Sequence, residues 1–361
     1  MIGRTLGLYL AGRFTRAILS VFGTIFVLVY LIDFVEMLRR AGDIANVTAL
    51  NLAFLTFLRV PAVTEQILPF ATLGGAMLAF IGLTRRLELV VARSAGISVW
   101  QFLMPPLAIV LLIGIASVTI YNPLSALMKQ KADAIEISLF GRTEPSQGDT
   151  SLWLRQRSAN GQSILRAEKS SDAGTRLGGV SAFVFDLSNR FVERVEATRA
   201  HLEAGAWVLE QARLIRPGEE PRDLDTYRLP TYLSASQISQ SFVTPEAVPF
   251  WSLPDFVERT RAAGLDATPY RLKYQVLLAR PLLLLAMVLI AACFSLRFFR
   301  FGGVARTVSG GVAAGFVLYV ITKLVTDLGG AGLISPIVAA WGPALAGGLL
   351  ACLVLLYLED G

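Results

Sequence analysis

The chain has 361 residues, of which 54% are hydrophobic and only 17% charged, with a mean hydropathy of +0.58. A soluble protein of this length carries about a quarter charged residues, so the composition excludes an ordinary soluble domain and marks an integral membrane protein. The formal net charge of +6 comes without any Lys/Arg-rich tract or aromatic-basic motif, which excludes nucleic acid and leaves membrane topology plus an anionic ligand to explain it.

A spanning helix needs about 20 mostly apolar residues. Six stretches qualify: Phe14–Ile32, Gln66–Leu83, Phe102–Tyr121, Leu277–Leu296, Val304–Val325 and Pro336–Leu358. They predict a polytopic α-helical protein with spans 1–3 in residues 1–122 and spans 4–6 in residues 270–361, split by a polar insert over 123–269. The first stretch follows Arg4 and Arg13 like a signal peptide. Its apolar run is too long for one, however, and Asp33-Phe-Val-Glu36 follows where small cleavage-site residues are expected.

Asp33, Glu36, Arg39 and Arg40 gather at the end of the first span. Asp33, Glu36 and Arg40 share a helix face by their i, i+3, i+7 spacing. They read either as charges snorkelling to water or as the border of an interhelical cavity that meets a charged headgroup. Arg59 and Glu65 flank Pro61 before the second span, with Pro69 inside its start; a kinked approach to the helix is the modest reading, with no chemistry attached.

Between spans two and three, Thr84–Trp100 packs Arg85, Arg86, Glu88 and Arg93 into a few turns. Leu87, Val90, Val91 and Ala95 predict an apolar stripe on a short cytoplasmic helix over about 84–96, with Gly96 stopping it in a left-handed conformation. Such a helix either receives force from a soluble motor or is a loop whose arginines set topology.

The insert changes character. Ser151–Arg155, Ser163–Arg166, Val180–Asp186 and Trp207–Glu210 have strand lengths and patterns, separated by turn-prone groups such as Pro217-Gly218. They predict an antiparallel sandwich or jelly roll, with Phe183 and Phe185 lining an apolar slot for acyl chains. Leu253–Ala263 predicts an amphipathic helix leading back to the membrane. Beyond it, Arg280 and Lys323 fall in the outer parts of spans four and five, and Lys129 and Lys131 follow span three. A phosphorylated amphiphile is attracted to such a ring of cations, and so is any phospholipid headgroup.

Topology follows from the short loops. Arg4, Arg13 and Arg16, then Arg85, Arg86 and Arg93, then Arg297, Arg300 and Arg306 fall on one side, which the positive-inside rule makes cytoplasmic. Both termini are then cytoplasmic and the insert lies outside. Cys293 and Cys352 sit in apolar runs, and His201 is the lone histidine, so neither a disulfide framework nor a metal site is expected. No P-loop sequence occurs, so ATP and Mg belong to a partner and this chain is not an enzyme.

Two motifs resemble one family. Leu31-Ile-Asp-Phe-Val-Glu-Met-Leu-Arg-Arg-Ala-Gly-Asp43 and Arg86-x-Glu88-Leu-x-x-x-Arg93-x-Ala-Gly-x-Ser98 are similar to those of the lipopolysaccharide export permeases of the LptF/LptG (YjgP/YjgQ) type, closer to the LptG side. The layout of three spans, β insert and three spans resembles them over essentially the whole chain. The resemblance implies an inner-membrane permease with a periplasmic jelly-roll domain. It implies a partner permease like LptF, two ATPase copies like LptB, a membrane-anchored protein like LptC and a periplasmic bridge like LptA. It further implies that Glu88 contacts the ATPase, and that Glu36, Arg39 and Arg40 line the lipid cavity; Asp33 departs from relatives that carry a cation there. Two other readings stay open from the residues alone: a force-transmitting subunit of another ATP-dependent lipid or lipoprotein exporter, and a membrane-anchored periplasmic assembly protein with no transport cycle.

Overall fold

The computed structural model describes residues 4–42, 48–140, 152–158, 161–171, 175–186, 188, 190–203, 205–231, 244–262, 266–301 and 304–360. The chain divides into two compact units. The first, helical unit contains α1 (Arg4–Ala41), α2 (Ala49–Arg85), α3 (Glu88–Ser94), α4 (Val99–Ala116), a π-helical turn (Ser117–Tyr121) and α5 (Asn122–Phe140). After the strands this unit continues with 3-10 turns at Pro245–Ala247 and Phe250–Ser252, then α7 (Thr268–Phe301), α8 (Val304–Gly330) and α9 (Pro336–Asp360), while α6 (Leu253–Ala262), past its first residue, belongs to the second unit. Six of these stretches are long and apolar enough to cross a membrane: Thr5–Ala41, Ala49–Arg85, Val99–Glu136, Thr268–Leu296, Val308–Gly330 and Pro336–Tyr357.

The helices run well past the apolar segments expected from sequence. The third is the clearest case. Asn122-Pro123 reads as a helix end, yet the π-turn shifts the hydrogen-bond register, so Pro123 falls in the first turn of a new helical segment where its missing N–H costs little. The helix continues to Phe140, and the second compact unit starts there instead of at 123.

Polar side chains inside the helical unit add hydrogen bonds to the backbone beside Pro61 and at the π-turn. Thr64 Oγ1 donates to the Val60 carbonyl at 3.0 Å, and Tyr121 Oη reaches the Pro61 carbonyl at 3.2 Å. The Thr119 carbonyl, inside the π-turn, accepts from Trp251 Nε1 at 3.2 Å. Backbone groups freed in a membrane helix must be satisfied by neighbours in this way, because lipid offers no partner.

At the same level lies a buried ion pair. Glu65 of α2 is 3% exposed and Arg280 of α7 is 7% exposed. Arg280 Nη1 donates to Glu65 Oε1 at 2.5 Å, Asn122 Nδ2 to the same oxygen at 2.9 Å, and Ser125 Oγ to Oε2 at 2.5 Å. The carboxylate thereby joins α2, α5 and α7. Gly114 of α4 lets that helix close on Pro281, next to Arg280: a Cβ at Gly114 meets Pro281 Cα at 2.7 Å. Asn122 also accepts from the Phe250 backbone N–H at 2.9 Å, and Gln130 Nε2 donates to the Ala247 carbonyl at 2.6 Å, so the segment 245–253 is fastened along the third span.

The second unit holds β1 (Leu152–Ser158), β2 (Gly161–Ser171), β3 (Arg176–Phe185), β4 (Phe191–Glu203), β5 (Ala206–Ile215) and β6 (Arg222–Pro230). They pair antiparallel in sequence order, a single meander. Among the described residues there is one sheet, not the two packed sheets expected of a jelly roll. The core face carries Leu165 and Ala167 of β2, Val180 and Ala182 of β3, Val195 and Ala197 of β4, and Ala212 and Leu214 of β5. Past Gly179 and Gln211, both at positive φ, the inward parity switches, and Leu177, Ala200, Leu209 and Trp207 continue the core. The pairing register is the same on both sides of this point, so the faces turn over by a local change of backbone conformation that runs across the strands and not by a slip. Gln156 is the buried polar centre: it donates to Ser163 and accepts from Trp207 Nε1 and Thr231 Oγ1.

Removing one member of a buried ion pair strands the other charge and costs about 3–5 kcal/mol, whereas replacing both with apolar residues is often neutral. Glu65→Ala and Arg280→Ala should each lower the melting temperature of the detergent-extracted protein markedly, and Glu65→Leu/Arg280→Met should recover most of the loss. Thermal unfolding of the four proteins checks this; single variants as stable as the parent contradict it.

Candidate functional site

The helical unit presents two charged regions, one at each end of α1. At its C-terminal end, Glu36 sits between two guanidinium groups. Arg39 donates through Nε to Oε2 and through Nη2 to Oε1, both at 3.0 Å, and Arg40 Nε donates to Oε1 at 3.0 Å. The spacing dictates this, since i+3 and i+4 neighbours lie over one helical turn. Two cations against one carboxylate leave a net positive, exposed cluster whose arginines are held side by side. A phosphate can be gripped there by parallel charge-assisted hydrogen bonds.

Asp33 does not join this cluster. Its Oδ1 lies 3.9 Å from Arg59 of α2, and Arg59 Nη1 also pairs with Glu136 of α5 at 3.2 Å. The face expected for Asp33, Glu36 and Arg40 is therefore split, with Asp33 turned towards α2. Lys323 pairs along its own helix with Asp327 at 3.0 Å, exposed to the surroundings. Arg280, expected among outward cations, lies inside the unit on Glu65. Its guanidinium is used up by a buried carboxylate, which removes it from any exposed anion site as the chain stands.

At the other end of α1 is the short helix α3. The chain breaks after Arg85, Leu87 adopts φ 58°, and α3 starts at Glu88. This break overturns the expected stripe: Leu89 is the anchored residue, at 3% exposure, while Leu87 and Val91 stand out at 58% and 65%. Leu89 packs with Val99, Phe102 and Leu296 in the helical core. The stop at Gly96 is as expected, with φ 79°. Ser98 then begins α4 with a capping box: its Oγ accepts from the Gln101 N–H and Gln101 Oε1 accepts from the Ser98 N–H, both at 3.3 Å. Arg85 and Arg86 are exposed beside Leu87, and the side chain of Arg93 lies outside the described residues, as do those of Arg297, Arg300 and Arg306.

Glu88 is held within the chain. Arg13 Nη1 donates to its Oε1 at 3.1 Å, and Tyr9 Oη donates to its Oε2 at 3.0 Å. Sequence periodicity gave no sign of this contact, because the residues are far apart in the chain and each looks like part of a basic or amphipathic end.

In the strand unit, alternation places Phe183 and Phe185 on the face opposite Val180 and Ala182. Phe183 lies under the Arg194 guanidinium, 5.4 Å from ring centroid to Cζ, and Phe185 meets Phe191 edge-on at 5.9 Å. By the period of the strand, both lie on the face away from the buried apolar cluster. Val184, partly buried, is the neighbour that does pack against that core. His201 is an ordinary strand residue between Glu203 and Glu210. Nearby, burial and the Glu193 carboxylate push the Tyr227 phenol well above its usual range, so it remains a donor to Glu193.

Comparison with known proteins matches the family described as lipopolysaccharide export system permease LptF/LptG over residues 8–358. The chain is 25% identical over 332 residues to the lipopolysaccharide export system permease protein LptG of Escherichia coli (strain K12), covering 89% of this chain and 90% of that protein. It is also 25% identical over 349 residues to the LptG protein of Haemophilus influenzae (strain ATCC 51907 / DSM 11121 / KW20 / Rd), covering 89% of each. The family match across nearly the whole chain, with six apolar helices and a separate antiparallel sheet, makes this multi-pass membrane protein a member of the LptF/LptG family of lipopolysaccharide export permeases.

Proposed function

We propose that the chain is the LptG-like half of an ATP-driven permease that extracts lipopolysaccharide from the inner membrane and passes it to a periplasmic bridge. The exposed pair Arg39–Arg40, aligned by Glu36 at the end of the first span, carries this reading. It offers an anionic amphiphile two neighbouring, exposed guanidinium groups at the level where a lipid leaving the outer leaflet meets the helices. In this reading an LptF-like permease completes the cavity, and Lys323 approaches the lipid after exchanging Asp327 for a phosphate. Arg280 supports the cavity wall through Glu65. An LptC-like protein and an LptA-like bridge receive the lipid.

The positive short loops support cytoplasmic termini and a periplasmic strand unit. Of the two copies of an LptB-like ATPase bound by the permease pair, one then seats on the face formed by Arg85, Arg86, Leu87 and Val91, with Arg93 on the same short helix. Leu87 and Val91 are exposed among the described residues, and such apolar groups rimmed by cations fit a protein partner. ATP and Mg are held by that ATPase, and this chain supplies no catalytic group.

Arg39→Ala/Arg40→Ala should lower the lipopolysaccharide co-purified per complex while leaving ATPase association intact. Charge reversal of both to Glu should be worse, because repulsion is added to the lost contact. Unchanged lipid loading in the double Glu variant would reduce both arginines to interfacial anchors.

The strand unit belongs on the lipid path in the same reading, and its two faces are distinguishable. A photo-crosslinking residue at Val184 samples the core-side face, and one at Phe183 or Phe185 samples the opposite face. ATP-dependent lipopolysaccharide adducts are expected at one of these faces; adducts at neither, with crosslinks only to protein, contradict the path.

A further inference from the structure

Glu88 lies on the helix where the proposed ATPase seats, yet both its carboxylate oxygens are engaged within this chain. Arg13 Nη1 bridges Tyr9 Oη, at 2.6 Å, and Glu88 Oε1, while Tyr9 closes the triangle on Oε2. The guanidinium carbon also lies 5.9 Å from the Tyr9 ring centroid. Arg13 and Glu88 are mostly shielded, with side chains 19% and 31% exposed, so this pair is screened less than a surface ion pair. Room for it is built into α2: a Cβ at Gly82 meets Arg13 Nη2 at 3.1 Å.

What these residues join matters more than their strength. Tyr9 and Arg13 belong to α1, a 38-residue helix without an internal proline. From Arg13 to Arg39 it rises about 39 Å, and at its far end are Glu36, Arg39 and Arg40. Leu89 also seats α3 on the helical core, and the chain turns at either end of it, at Leu87 and at Gly96. Glu88 therefore gives α3 a direct side-chain link to α1.

We propose that Arg13 and Tyr9 are positioning residues which couple the ATPase-contact helix to α1, so that Glu88 works as an internal joint between the motor side and the headgroup cluster. This rests on the reading that an ATPase seats on α3. Movement of α3 with the joint intact shifts or tilts α1 as a rod, and displaces Arg39 and Arg40 relative to the lipid they hold. Breaking the joint lets α3 move without α1.

The test uses the whole complex in proteoliposomes loaded with lipopolysaccharide, measuring complex yield, ATP hydrolysis and lipid released per ATP. Arg13→Glu should assemble and hydrolyse ATP, but lipid released per ATP should fall several-fold. Arg13→Glu/Glu88→Arg should recover much of it, because the reversed pair can form again. Tyr9→Phe, which keeps the ring and the Arg13–Glu88 pair but removes the two hydrogen bonds of the Tyr9 hydroxyl, should give a smaller loss in the same ratio and covers the case where Arg13→Glu fails to assemble. Wild-type release per ATP in both Arg13→Glu and Tyr9→Phe, or a reversed pair no better than the worse single variant, overturns the joint. So does a lower complex yield with an unchanged ratio, which marks a purely structural contact. The underlying reading fails separately and visibly: the wild-type complex would then carry no ATPase, or release lipid equally without ATP.

Discussion

The contact between Glu65 and Arg280 sets the terms for the helical unit. Two opposite charges lie in a region where neither water nor lipid can satisfy them, so each needs the other and the hydrogen bonds around them. The consequence is a fixed arrangement of three helices. Asn122 and Ser125 bring in α5, the π-turn just before them adjusts the register so that they reach, and Pro281 leaves α7 close against Gly114. The same Asn122 fastens the backbone at Phe250, so the chain returning from the strands is tied to the same polar centre.

Around that fixed centre, α1 is held differently. It packs by apolar contacts such as Phe14 on Phe80, with ring centroids 4.7 Å apart, and meets charge only near its two ends. Asp33 and Arg59 face each other across α1 and α2 near one end, and Glu88 reaches Arg13 at the other. Apolar contact between helices allows small sliding that a buried ion pair resists, since dispersion is non-directional while a charge left unpaired is costly. A helix joined to its neighbours chiefly by such contacts suits an element that moves, and one anchored by Glu65 suits an element that does not.

The six spans were legible because a membrane demands a long apolar run and little else. Their ends were not, since Arg and Glu can continue a helix beyond the apolar core. Glu65 and Arg280 carried a readable signal: each is an ionisable residue amid apolar neighbours, Glu65 midway between Pro61 and Pro69 and Arg280 next to Pro281. The two lie 215 residues apart, and only the folded chain shows that they meet. The Gly96 stop was legible from residue type, but the stripe of α3 was not, because a break at Leu87 resets the helical phase. Strands β4 and β6 were missed. Glu193, Arg194, Glu196 and Arg199 mask the alternation of the first, and β6 is an exposed, charged edge, a common defence against unwanted pairing. That Phe183 and Phe185 lie away from the buried cluster was not legible, because their run of apolar neighbours hides the period of two. Of the candidate site, the Glu36–Arg39–Arg40 cluster follows from helical spacing, whereas the Tyr9–Arg13–Glu88 triangle depends on tertiary packing.

Family membership, the aligned arginines and the joint at Glu88 converge on one central claim: that this chain converts ATP hydrolysis by a partner into movement of lipopolysaccharide. The most direct measurement places the purified complex in vesicles containing labelled lipopolysaccharide and follows its transfer to a soluble periplasmic acceptor protein. The account predicts transfer that begins on ATP addition and stops when hydrolysis is blocked. Equal transfer without ATP, or hydrolysis without any lipid leaving the vesicles under conditions where the complex is fully assembled, would contradict it.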